Sequence, residues 1–144
     1  MSNGRERPAP VALIAAGGLG ERLGADGPKA LVRCAGRSLL QWTLEAFARS
    51  NSVANVVVAV VQSERERFER DVAPARARGL EVTLCAGGES RSHSVRAALA
   101  AAITRHDPAI VLVHDAARPL AGPELIDACV RGLYDDREAQ GLVP

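Results

Sequence analysis

Aromatic residues make up only 3% of this 144-residue chain: one Trp, one Tyr and two Phe. That scarcity removes the stacking platforms that single-stranded nucleic acid requires. An excess of charge of either sign is missing as well, with 18 Lys and Arg against 17 Asp and Glu. No broad field is available to hold DNA or an anionic membrane, so an anionic ligand must be gripped locally, in a pocket. The three cysteines, Cys34, Cys85 and Cys129, are widely spaced, odd in number and without a C-x-x-C pair. They argue against a disulfide framework and a zinc site and suit a reducing cytoplasm. The polar opening from Ser2 to Pro8 has no signal-peptide core, and no apolar run approaches the ~20 residues of a membrane span. The expectation is a cytoplasmic protein with neither nucleic acid nor membrane as partner.

What is present is a 47% hydrophobic composition, enough for one domain across residues 1–144. Val11 to Ala16 is a short apolar run ended by glycines, Val56 to Val61 is almost all valine, and Ala109 to Val113 is apolar on both faces. These read as buried parallel strands, with a weaker strand over Leu80 to Cys85. Between them lie helical patterns. Ser38 to Ser50 places Leu40, Leu44 and Phe47 on one stripe, and Ser63 to Glu66 matches a capping box. Ser94 to Arg105, capped by Ser92 or Ser94, and Pro123 to Leu133, with Gly122 at the cap, supply two more helices. The alternation predicts an α/β fold: a doubly wound, mostly parallel, Rossmann-like sheet with helices on both faces. Gln140 to Pro144 reads as the opening of a further strand, so the fold is expected to be incomplete at its C-terminal end. In such a sheet the loops starting at Gly17, Ala86 and His114 face one crevice beyond the carboxyl ends of the strands.

The first of these loops, Gly17-Gly18-Leu19-Gly20-Glu21-Arg22-Leu23-Gly24-Ala25-Asp26-Gly27-Pro28-Lys29, is dense in glycine, which lets backbone N–H groups approach an anion. It does not match a Walker A loop, because Lys29 follows Pro28 and precedes Ala30. Nor does it match a dinucleotide fingerprint, because Leu23 stands where glycine is needed. Gln62 after the second strand is not a ribose-binding acid, which further disfavours NAD. Lys29 is the only lysine among 18 basic residues. An ammonium offers a compact charge to one phosphate oxygen, and the planar guanidinium of Arg22 complements it with two-point contacts. Together they are candidates to neutralise charge at a reacting phosphorus.

A second constellation is His114-Asp115-Ala116-Ala117-Arg118-Pro119. Asp115 either meets a ribose hydroxyl or a metal-bound water, or caps a turn and pairs with Arg118. His114 reads as a packing or hydrogen-bonding residue. The third is Gly87-Gly88-Glu89-Ser90-Arg91-Ser92-His93-Ser94, either a plain strand-to-helix connection or a set of donors for a base or phosphate. His93 is expected to be exposed, and nothing marks Cys34 or Cys85 as a nucleophile.

Taken in order, Ala16 to Leu23 with Pro28-Lys29, then Gly87-Gly88-x-x-Arg91-x-x-Ser94-Val95, then Val113 to Pro119, resemble the 2-C-methyl-D-erythritol 4-phosphate cytidylyltransferase family. The resemblance implies transfer of a cytidylyl group from CTP to a sugar-alcohol phosphate, methylerythritol phosphate, with release of pyrophosphate and with Mg²⁺ as cofactor. The reaction belongs to the non-mevalonate route to isoprenoid precursors. By matching position, Arg22 and Lys29 act at the α-phosphate, and Ala15, Ala16, Gly17, Gly18 and Gly20 line the nucleotide. Gly88, Glu89 and Ser94, beside Arg91, read the cytosine, and Asp115 with Ala116, beside Arg118, meets the ribose. Mg²⁺ is held mainly by the CTP phosphates, with Asp115 as a candidate ligand. The family usually has proline at Ala15, alanine at Gly17, and aspartate or alanine near Glu89. Its chains continue past the point matching Pro144 with a dimerising arm and a further basic residue, so the homodimer is a property of the resembling family. The competing readings are a molybdopterin guanylyltransferase, a sugar-phosphate uridylyltransferase, and a CTP-binding fragment without catalysis.

Overall fold

A computed structural model describes residues 9–18 and 27–135. Four strands, β1 (Val11–Ala15), β4 (Asn55–Val60), β5 (Glu81–Ala86) and β6 (Val111–Asp115), form one sheet in the order β5-β4-β1-β6. Every neighbouring pair is parallel. A short antiparallel hairpin, β2 (Arg33–Cys34) and β3 (Arg37–Ser38), stands apart. Its two-residue turn holds Ala35 at φ 50 and Gly36 at φ 82, the left-handed pair that matches hairpin twist. The helices are α1 (Leu39–Arg49), α2 (Arg65–Ala77), α3 (Arg91–His106) and α4 (Pro123–Asp135). Among the described residues no helix is long and apolar enough to cross a membrane.

Strand alternation sorts the core into two layers. The even positions Ala12, Ile14, Val56, Val58 and Val60 pack with Leu40, Leu44 and Phe47 of α1, Phe68 and Val72 of α2, and Ile126 and Val130 of α4. The odd positions Val11, Leu13, Val57 and Ala59 meet Ala98 and Ala102 of α3. Helices thus cover both faces, and β1 and β4 are buried on both sides because they are central. The run near residue 110 departs from expectation. Strand β6 starts at Val111 and extends through His114 and Asp115, and it is one of the two edge strands of the described sheet. Val113 is consequently 47% exposed despite its apolar character.

Helix boundaries follow their caps. At α1 the Ser38 hydroxyl accepts from the Gln41 N–H, and the Gln41 side chain accepts from the Ser38 N–H, a reciprocal capping box. The capping box expected at Ser63 to Glu66 does not form. A 3-10 turn over Gln62–Glu64 precedes α2, whose cap Glu64 makes no side-chain cap bond. Helix α3 opens three residues earlier than expected, because Ser90, rather than Ser92 or Ser94, accepts from the His93 N–H. The residues from Gln140 to Pro144, read as a further strand, lie outside the described residues.

Asp127 ties α4 to the end of α1. Its carboxylate accepts from the Ser50 hydroxyl at 2.6 Å and from the N–H groups of Asn51 and Ser52, at 3.1 Å each to Oδ1. Burial alone would raise its pKa, but these donors outweigh that and hold it below its ordinary value of 3.8. A carboxyl depressed in the folded state stabilises the fold above its unfolded pKa, and that contribution is lost as pH falls through the folded value. Asp127→Asn should therefore lower stability by about 1–2 kcal/mol at neutral pH. In urea unfolding followed from pH 7 downwards, the gap between variant and parent should close below pH 3.8.

Candidate nucleotide site

The sheet register brings the ends of the strands side by side. Ala15 pairs with Ala59 on one side and Asp115 on the other, and Val60 pairs with Ala86. Short backbone bonds extend the row one residue further: Ala16 N–H to Ala59 O at 2.9 Å, Gly87 N–H to Val60 O at 2.8 Å, and Ala116 N–H to Ala15 O at 3.0 Å. Three loops therefore leave the same edge and enclose a crevice of about 940 Å³. The first contributes Ala15 to Gly18 and Lys29, the second Gly87 to Arg91 and Ser94, and the third Asp115 to Arg118. All the expected site residues that the structure describes line it. Gly20 and Arg22 lie outside the described residues.

The neck of the glycine loop is closed by the Lys29 N–H, which donates to Gly18 O at 2.9 Å. Eleven positions apart in sequence, the exposed Lys29 is thereby set beside the glycines at the mouth of the crevice. Ala30 behind it is buried and anchors the turn in the core.

Ser94 is the buried centre of the second loop. It is 2% exposed, its Oγ accepts from the Gly88 N–H at 3.2 Å, and its hydroxyl lies 3.4 Å from Gly88 O. The surrounding glycines are set by this close packing. A Cβ on Gly17 would lie 3.3 Å from Ser94 Oγ. On Gly87 it would lie 3.1 Å from the same atom, and on Gly88 it would strike His93 Cβ at 2.4 Å. His93 is otherwise exposed.

Asp115 does pair with Arg118, as one reading of the sequence allowed, but Arg91 is its shorter partner. Arg91 Nε donates to Oδ1 at 2.7 Å, and Arg118 Nε lies 3.2 Å from Oδ2. Both guanidiniums are well exposed, so each pair is worth only about 0–1 kcal/mol and is open to exchange with a ligand. His114 is half-buried, its ring in a T-shaped contact with Phe47 at 5.7 Å between centroids, and its Nε2 lies 2.9 Å from Arg118 O. Since a carbonyl only accepts, Nε2 carries the proton. Burial lowers the His114 pKa, partly offset by that hydrogen bond and by Asp115. A neutral ring held in this way is a structural part, in keeping with its sequence. Burial likewise pushes the Cys85 thiol up, against a smaller opposing effect of Arg65, so it is no nucleophile.

The sequence reading gave no site role to Val60, Val61 or Gln62, which also line the crevice, and it quoted Ser90 and Ala117 within their loops without a role of their own. Their signal was positional: Gln62 follows β4, which ends at the same edge as the other strands. Among the described residues no group of three or more His, Cys, Asp or Glu is placed to hold a metal ion.

Two substitutions test this packing. Gly88→Ala should destabilise the fold by about 1–3 kcal/mol, because the methyl is overpacked against His93. A Cβ at Gly18 meets nothing within 4 Å, so Gly18→Ala should stay within about 0.5 kcal/mol of the parent. Thermal unfolding of both variants makes the comparison, and equal losses would contradict the geometry.

The chain is similar to known proteins in both sequence and fold. The model of the family "IspD: 2-C-methyl-D-erythritol 4-phosphate cytidylyltransferase" matches residues 11–144. A 2-C-methyl-D-erythritol 4-phosphate cytidylyltransferase of Frankia casuarinae is 42% identical over 132 residues, covering 92% of this chain and 47% of its own length. One from Saccharopolyspora erythraea is 42% identical over 135 residues, 93% of this chain and 58% of its own. The chain thus spans about half the length of the curated relatives it matches. Among solved structures, the 4-diphosphocytidyl-2C-methyl-D-erythritol synthase of Anaerococcus prevotii superposes with a TM-score of 0.68 at 21% identity, over 89% of this chain and 52% of that one. A CMP:2-keto-3-deoxy-manno-octonic acid synthetase solved with CTP gives 0.68 at 21% identity, over 90% of this chain and 49% of that one. At these identities the two structures show the fold.

Proposed function

The chain belongs to the 2-C-methyl-D-erythritol 4-phosphate cytidylyltransferase family, and from that membership we propose that its crevice binds CTP and supports cytidylyl transfer to 2-C-methyl-D-erythritol 4-phosphate. The observation that carries the reading is the meeting of three loops at one sheet edge, with the single lysine tied to the glycine turn. A phosphate oxygen of the acceptor attacks the α-phosphorus of CTP, a P–O bond forms, and the bond to the β-phosphate breaks as pyrophosphate leaves.

In this scheme the backbone from Ala15 to Gly18 lies along the nucleotide phosphates, where glycine permits close approach. Lys29, with Arg22 from the same loop, meets the negative charge that builds on the five-coordinate phosphorus. Gly88, Glu89 and Ser94 face the base, with Ser94 already engaged to Gly88 and so holding the base loop in shape. Asp115 and Ala116 face the ribose, and Arg91 and Arg118 orient the Asp115 carboxylate.

Mg²⁺ fits this donor set in a limited way. It takes one or two carboxylates and fills its remaining positions with phosphate and water oxygens, and Asp115 is a carboxylate at the crevice. Bound there with the triphosphate, the ion would neutralise charge on the leaving pyrophosphate. The three free cysteines suit a reducing compartment, which fits a cytoplasmic reaction.

Pyrophosphate release tests the proposal, with each NTP offered in turn alongside Mg²⁺ and either methylerythritol phosphate or another sugar phosphate as acceptor. CTP-selective release is expected, whereas release with GTP or UTP and a different acceptor would sink the cytidylyl assignment. Lys29→Ala should slow turnover by about a hundredfold or more while CTP binding falls far less. Lys29→Arg should not restore the rate, because a planar fork does not replace a compact ammonium.

A further inference from the structure

Behind the Asp115 turn stands a residue of α1 that does not itself line the crevice, and we propose that Thr43 is a positioning residue for the nucleotide site. Its buried hydroxyl fixes the backbone of Ala116 and thereby the direction of Asp115. The proposal rests on the reading above that the crevice takes CTP.

Thr43 is one of three buried polar residues among those described, at 2% exposure. It sits on the buried stripe of α1 with Leu40, Leu44 and Phe47, a place where an apolar side chain would serve packing alone. A helical threonine commonly turns its hydroxyl back to the carbonyl one turn earlier. Thr104 in α3 does so, to Ala100 O at 2.9 Å. Thr43 instead donates to Ala116 O at 3.1 Å, 73 residues along the chain.

Ala116 is 1% exposed, and its N–H donates to Ala15 O on β1. Its peptide groups are therefore held on one side by the strand that leads into the glycine loop and on the other by α1. A turn beyond Thr43, Phe47 meets the ring of His114, whose Nε2 donates to Arg118 O. The same face of α1 thus secures the residues on both sides of Asp115 without touching its carboxylate. Loss of the Thr43 donor leaves a buried carbonyl unpaired, which favours rearrangement of that turn.

The test uses Thr43→Val, which keeps the shape and removes the donor, and Thr43→Ser, which keeps the donor and removes the methyl. Calorimetry of CTP with Mg²⁺ is compared with inorganic triphosphate without Mg²⁺, which offers phosphate oxygens but neither base nor ribose, at a temperature where every variant is folded. Thr43→Val should weaken CTP by about tenfold and leave triphosphate binding within about twofold, and Thr43→Ser should behave like the parent. Equal losses for both ligands, an unchanged CTP affinity, or a serine variant as weak as valine would overturn the proposal. If the parent does not bind CTP, the assignment of the crevice fails separately. Amide hydrogen exchange at Ala117 and Arg118, taken relative to global opening, then decides the role of Thr43. Exchange faster by about tenfold in Thr43→Val and restored in Thr43→Ser supports it, and no change contradicts it.

Discussion

Everything at the crevice depends on the parallel register at Ala15. Because Ala15 lies between Ala59 and Asp115, the glycine loop, the end of β4 and the Asp115 turn leave the sheet at one level. Main-chain bonds of Ala16 to Ala59 and Ala116 to Ala15 carry that alignment one residue beyond the strands. A slip by one residue in a parallel pair would reverse every side chain between the two faces. The alternation of Val56, Val58 and Val60 toward one layer and Val57 and Ala59 toward the other penalises such a slip heavily. The hydrophobic core thus fixes where the loops begin, and small residues decide how closely they approach.

The polar part of the site is built from exposed, weakly paired charges on a rigid base. Lys29 projects from a loop whose neck is closed by a backbone bond, and Asp115 is shared by two exposed arginines from different elements. Such pairs contribute little stability, so they can be exchanged for phosphate or hydroxyl contacts at small cost. The supports beneath them are neutral: Ser94 on Gly88, Thr43 on Ala116, and the neutral ring of His114, whose Nε2–H donates to Arg118 O. This division separates what holds the loops from what faces a ligand.

Much of this was legible in the sequence, for physical reasons that differ by element. The valine run at β4 and the stripe of Leu40, Leu44 and Phe47 encode burial directly, so those elements were placed to within a residue or two. The level of β6 was harder, because Ala109 and Ile110 are as apolar as the strand yet precede it, while His114 and Asp115 complete it. Its edge position depends on strand order, which local composition does not carry. Ser63 satisfies the capping pattern but a 3-10 turn occupies it, and among the serines near residue 90 only the fold selects Ser90 as the cap and Ser94 as the buried contact. The hydroxyl of Thr43 is opaque to sequence reading for the same reason, since its partner lies in another element.

The central claim is that one nucleotide spans all three loops. Titration of the isotope-labelled chain with CTP and Mg²⁺, followed by the backbone amides of Gly17, Gly18, Gly88 and Ala116, tests it most directly. The account predicts that the four amides shift together along one binding curve, and that ATP and GTP move Gly88 far less than CTP does. Shifts confined to the glycine loop, or the same response at Gly88 to every nucleotide, would contradict it.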